Sequence, residues 1–156
     1  MISKNKNLKK IYDPTLNKFI NYDAEINVYL ESSSKKETQS FILRNPHKYN
    51  LADSYKIKFD LLNYKESYIP MVRIYNYSEL NVNFIDQVLT PPALFSLTLG
   101  KIFQDFLVDE ETNKFSHCKK MNIRLTSTAS AFDENEVVDL LSNLAKFLNN
   151  PLTIAL

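Results

Sequence analysis

Gly100 is the only glycine in 156 residues, and that scarcity constrains the chain more than any motif in it. A dinucleotide fingerprint, a P-loop or any Gly-rich phosphate cradle needs several glycines in close register, so all three are excluded. Two histidines and one cysteine likewise exclude zinc fingers and ribbons and leave little from which to build a catalytic triad. The length predicts a single domain over residues 1–156, with residues 1–20 as a flexible basic N-terminal arm. A chain of this size buries enough surface to fold without a disulfide or metal staple. No cofactor is expected.

Other compositional signals concern origin and compartment. Asn, Lys, Ile, Leu, Tyr and Phe are plentiful and Trp is absent, which suggests an AT-rich genome and a phage or mobile-element source. Cys118 has no second cysteine to pair with, so nothing argues for an oxidising compartment. The basic stretch Met1 to Lys10 runs into Ile-Tyr-Asp-Pro rather than an apolar signal core. No apolar run reaches the ~20 residues of a spanning helix. The expected location is therefore cytoplasmic, the host cytoplasm or the virion if the source is a phage, with no membrane partner. Charge is uneven: residues 1–73 hold 13 Lys/Arg against 8 Asp/Glu, whereas residues 74–156 hold 6 against 10.

The N-terminal half has strand periodicity. Ala24, Ile26, Val28 and Leu30 alternate with polar neighbours, and Gln39 to Arg44 is a shorter candidate. The Ser-Ser-Ser-Lys-Lys-Glu run at 32–37 reads as the turn between them. Tyr55, Ile57, Phe59 and Leu61 form a third alternation. Tyr68 to Tyr77 forms a fourth, with Pro70 placing its start at an edge or bulge. Short polar links between them predict an antiparallel meander.

The C-terminal half changes period. Thr90 before Pro91-Pro92 supplies a cap and a first turn, and Phe95, Leu99, Ile102, Phe103 and Phe106 follow at helical spacing. Gly100 inside that helix costs ~1 kcal/mol relative to Ala and permits close packing against the sheet. Asp109 to Asn113 then forms an acidic loop, and Met121, Ile123 and Leu125 alternate as another strand. Asp133 with Glu136 completes a capping box for a last helix, whose buried stripe is Val137, Leu141, Leu144 and Leu148. The fold class is thus α+β: a mostly antiparallel sheet of four to six strands, packed by two amphipathic helices from the C-terminal half.

The candidate chemistry is sparse. His117-Cys118 is the one adjacent pair of titratable or soft groups, and a cysteine's base is rarely its sequence neighbour. His47 lies in Asn-Pro-His-Lys, and no ligand spacing joins it to His117, Asp53 or Asp109 as a metal site. A hydrolase built from His47, Cys118 and a carboxylate remains as a remainder reading. Asp109, Glu110 and Glu111 are contiguous, so their side chains diverge and cannot flank a substrate. The sequence therefore predicts no catalytic and no metal-binding residues.

Two surfaces carry the interaction readings. On the central strands Lys56, Lys58, Arg73, Tyr75 and Tyr77 share an outward parity. Cations beside aromatic rings can hold single-stranded nucleic acid, with phosphates meeting charge and bases stacking on rings. At the end of the sequence Leu152, Ile154 and Leu156 share one parity and would give an extended segment one apolar edge. The primary expectation is a non-catalytic protein-binding or assembly protein, self-associating or joined to a protein partner, with Leu152, Ile154 and Leu156 at the interface. The alternative is the nucleic-acid module.

Overall fold

A computed structural model describes residues 10–13, 16–21, 27–44, 46, 60–61, 72–90, 93–109, 114–128 and 132–150. Strands β1 (Lys10–Asp13) and β2 (Lys18–Asn21) pair as a small antiparallel hairpin. Its turn places Asn17 at φ 47°, a left-handed conformation that asparagine tolerates better than most side chains. Strands β3 (Asn27–Ser33) and β4 (Thr38–Arg44) form a second hairpin. Its turn is closed by Ser34, whose hydroxyl accepts from the backbone N–H groups of Lys36 and Glu37, as the polar run at 32–37 predicts.

The main sheet has six strands in the order β5-β4-β3-β6-β7-β8. Its other members are β5 (Asp60–Leu61), β6 (Val72–Asn76), β7 (Phe95–Asp109) and β8 (Lys114–Ser127). The expected mostly antiparallel meander is corrected here: β6 lies parallel to β3 on one side and parallel to β7 on the other. The sheet is mixed because β6 inserts between strands from opposite halves of the chain. It is also a central strand; the edge or bulge expected at Pro70 lies outside the described residues. Only Asp60 and Leu61 of the third predicted strand are described.

The second correction is larger. The helix expected after Thr90 is strand β7, and one helix, α1 (Glu134–Asn149), is present among the described residues. The register explains the false period. Leu99 faces Ile123 but Ile102 faces Met121, a shift that inserts one extra residue into β7. One face of β7 therefore runs Phe95, Leu97, Leu99, Ile102, Gln104, Phe106, Val108. Its apolar members at 95, 99, 102 and 106 reproduce the 4-3-4 spacing of a helix.

The same shift places Gly100 where a second segment crosses the strand. The carbonyl group of Asn83 lies against the glycine Cα, and the Lys101 N–H donates to the Val82 carbonyl at 2.8 Å. A Cβ on residue 100 would overlap the Asn83 oxygen and sit 2.8 Å from its carbonyl carbon. The glycine does permit close approach, of a loop backbone rather than of a helix.

A buried apolar cluster sits on one side of the sheet. Register aligns Leu43, Val28, Val72 and Phe95 in one row and Phe41, Leu30, Ile74, Leu97 and Leu125 in the next. Val28, Val72, Leu94, Phe95 and Phe132 are buried together, with Leu43, Ile74, Leu125 and Val137 packed around them. The Phe132 ring stands edge-on to Phe95, centroids 6.0 Å apart. Helix α1 starts beside this cluster. Its capping box is fully formed: Asp133 Oδ1 accepts from the Glu136 N–H at 2.8 Å, and Glu136 Oε2 accepts from the Asp133 N–H at 3.1 Å. Its apolar stripe is less covered than the sequence predicts. Val137, Leu141 and Leu144 are half-buried, Leu148 is 52% exposed, and no residue of α1 is buried.

Candidate interaction surface

Strands β7 and β8 make a long hairpin of 15 and 14 residues, spanning roughly 50 Å at ~3.4 Å per residue. Helix α1 has 16 residues, about 24 Å, so it covers at most about half of that length. Cross-strand partners place Phe95, Leu97, Leu99, Ile102, Phe106 and Val108 on the same face as Leu125, Ile123, Met121, His117 and Phe115. Leu125 touches the core on this face, so the face is the helix side. Beyond the helix its apolar side chains stay in water: Ile102 is 54% exposed, Phe106 56%, Val108 52% and Phe115 73%. His117 joins the row, its ring 4.7 Å from that of Phe106.

Between β8 and α1 the packing is also incomplete. A cleft of about 620 Å³ opens there, lined by Met121, Ile123, Leu141, Leu144 and Leu148 among others. Cleft and exposed row are continuous through Ile102 and Met121, which face each other in the register. Sequence reasoning missed this surface because Phe106 had been assigned to a helix. The alternation Phe115, His117, Lys119, Met121, Ile123, Leu125 was the available signal, and only its last three members were read as a strand.

The opposite face of the hairpin carries Phe103 and Leu107 among polar and charged side chains. Lys120 Nζ meets Asp105 Oδ2 at 2.5 Å, and this hydrogen-bonded contact holds the Asp105 carboxyl below, and the Lys120 ammonium above, their usual ranges. Arg124 pairs with Asp86 at 2.5 Å and lies over the Phe84 ring, 5.1 Å from its centroid. The first contact ties the two strands of the hairpin to each other, and the second ties the hairpin to the 78–90 segment.

Arg73, Tyr75 and Tyr77, proposed from sequence as a nucleic-acid face, lie together on this same side of the sheet, and internal contacts engage all three. Tyr75 and Tyr77 stack on each other, centroids 6.2 Å apart and 13° from parallel, and Tyr77 is buried. Arg73 donates to the Thr90 hydroxyl and Gln87 to the Tyr77 hydroxyl, both at 3.0 Å, so the 78–90 segment is fastened to these side chains. Tyr29 completes the cluster, edge-on to Tyr75 and donating to Glu31 Oε2 at 2.6 Å. Burial, aided by that bond to a carboxylate, pushes its phenol up to about 12; burial raises Tyr77 as well. Lys56 and Lys58 lie outside the described residues, as do His47 and the segment with Leu152, Ile154 and Leu156. Cys118 is half-buried in mid-strand and His117 is exposed beside it. No three metal-ligating side chains converge among the described residues. No described helix is long and apolar enough to cross a membrane.

No protein-family model matches the sequence, and no curated protein matches it. Solved structures do resemble the fold. The cubic core of the pyruvate dehydrogenase multienzyme complex superposes with a TM-score of 0.71 at 11% identity, covering 99% of this chain and 66% of that one. The dihydrolipoamide acetyltransferase of Azotobacter vinelandii gives 0.70 at 11% identity with the same coverage. A probable dihydrolipoamide acetyltransferase from Listeria monocytogenes gives 0.64 at 12% identity, covering 90% of this chain and 62% of that one. This chain thus spans 62–66% of the length of those chains, and what it shares with them is the fold.

Proposed function

We propose that this chain is a non-catalytic assembly protein, a subunit that uses an acetyltransferase-core fold to join other protein chains. The observation that carries the reading is the uncovered apolar row Ile102, Phe106, Val108 and Phe115 on the helix side of the β7–β8 hairpin. Fully burying side chains of this kind is worth about 1.5–3 kcal/mol each, so a protein surface that covers them gains a sizeable driving force. One structure with this fold is itself the cubic core of a multienzyme complex, which supports an architecture suited to assembly. The sequence pattern of Leu152, Ile154 and Leu156 adds a second apolar edge to the proposed interface.

The non-catalytic part rests on the histidines. In the Azotobacter vinelandii enzyme the residues studied for catalysis are a serine, a histidine and an asparagine four positions after the histidine. Here His47 is followed at that spacing by Leu51 and His117 by Met121, so neither reproduces the pairing. His117 also lies in an exposed row beside Phe106 rather than in a closed site.

Sedimentation velocity across a dilution series tests the assembly reading. The chain should sediment as a concentration-dependent oligomer, and Phe106→Asp with Phe115→Asp should return it to a folded monomer. A wild-type chain that stays monomeric at every concentration and joins no partner overturns it. Acetyl transfer to dihydrolipoamide by the purified chain would overturn the non-catalytic part.

A further inference from the structure

Strand β8 ends the six-stranded sheet, so one of its sides has no backbone partner among the described residues. Fourteen residues of edge, open among the described residues, are a template for another strand, and proteins usually blunt such edges or use them. The composition of β8 decides what can add there. It carries Lys114, Lys119, Lys120 and Arg124 and no carboxylate. Lys120 and Arg124 pair with Asp105 and Asp86, but two copies of β8 paired edge to edge would still bring Lys114 and Lys119 of each toward the other's cations, so self-pairing is disfavoured by charge.

The two faces of the hairpin make the requirement more specific. A strand laid beside β8 would continue both faces, with side chains alternating between them. On the helix side it would meet Phe115, His117, Met121 and Ile123 with Lys119 among them; on the other it would meet Lys114, Lys120 and Arg124. Lys120 already touches Asp105 of β7 and Arg124 touches Asp86 of the 78–90 segment, while Lys114 is exposed. From this we infer that the free edge of β8 receives an extended segment of a partner protein in which apolar and acidic residues alternate, added to the sheet by backbone pairing. Main-chain bonds hold such a segment, apolar side chains cover the exposed row, and carboxylates face the cations. The inference rests on the assembly reading for the use of the hairpin face, and adds the kind of partner.

A fluorescent peptide of alternating valine and glutamate, titrated into the full chain, tests it by anisotropy and by hydrogen exchange of the β8 amides. Binding should slow exchange across β8, weaken as salt rises, and fall about tenfold or more for a valine–lysine peptide. N-methylation of alternate peptide amides, which removes backbone donors and keeps the charge, should abolish it. Lys114→Glu should weaken binding severalfold while leaving the far-UV circular dichroism unchanged. Absence of binding, equal binding of the N-methylated peptide, or protection away from β8 each overturns the inference. Sedimentation of the chain alone is a separate readout: an oligomer that ignores the peptide refutes this inference and leaves the assembly reading standing.

Discussion

Replacing Gly100 with alanine tests the crossing of the 78–90 segment over β7. The added methyl would overlap the Asn83 carbonyl oxygen and come within 2.8 Å of the carbonyl carbon. Both are backbone atoms, so no rotamer change relieves the clash. The segment must move, and its nearest fastening is the 2.8 Å bond from the Lys101 N–H to the Val82 carbonyl. Overpacking of this kind typically costs 1–3 kcal/mol, and a stretched backbone bond about another 1. Against this, alanine lowers the entropy of the unfolded chain, a gain of about 0.4–1 kcal/mol where the conformation suits it. The net loss is about 2 kcal/mol, or a fall of roughly 4–8 °C in Tm for a domain of this size. Urea unfolding followed by circular dichroism measures it directly. Adding Asn83→Ala should not restore stability, because the clash lies with the backbone. A Gly100→Ala protein as stable as wild type would show that the segment does not cross the strand at this position.

Other perturbations follow from the packing and the charges. Asp133→Ala removes the acceptor for the Glu136 N–H and should cost about 1 kcal/mol in chemical unfolding. Phe132→Ala empties the space beside Phe95 and should cost about 3–5 kcal/mol, read in the same assay. Ser96 is 1% exposed and its hydroxyl finds no partner among the described residues, so Ser96→Ala should hold or raise the Tm; a loss above about 1 kcal/mol would reveal a bond to that hydroxyl. Tyr29 keeps its proton longer in the folded chain than its ordinary value of 10.0 allows. Its contribution to stability is complete below about pH 10 and is lost as pH rises toward about 12, so unfolding midpoints should fall across that window and Tyr29→Phe should flatten the fall.

Local signals are legible in this sequence and non-local ones are not. Asp133 and Glu136 lie three residues apart and specify the start of α1 without help from the rest of the fold. The turn at Ser34 and the alternation at Met121 to Leu125 were equally local. The parallel seams left no mark in the sequence, because nothing near Ile74 says that its neighbours are Leu30 and Leu97. Strand β7 reads as a helix for a definite reason: one inserted residue between Leu99 and Ile102 shifts the alternation and gives it the spacing of a helix. The tyrosine cluster was half legible. Shared parity brought Arg73, Tyr75 and Tyr77 together, but only the fold shows the 78–90 segment fastened to them.

The position of β6 bears on how the chain reaches its fold. Leu30 and Ile74 are 44 residues apart, and β6 also needs β7, which comes later in the chain. The two hairpins β3–β4 and β7–β8 can form from near neighbours, but neither can close the sheet alone. The loop-closure entropy of the β3–β6 seam must be met before its contacts repay it, which places this protein among the slower-folding mixed topologies. Until β6 docks, β3 presents an open edge, and so does the inner side of β7. During synthesis the β3 edge waits for Val72–Asn76 to emerge, an interval in which it can pair with another chain. The strand that unites the two halves of the sheet is thus also the step whose delay exposes the chain to misassembly.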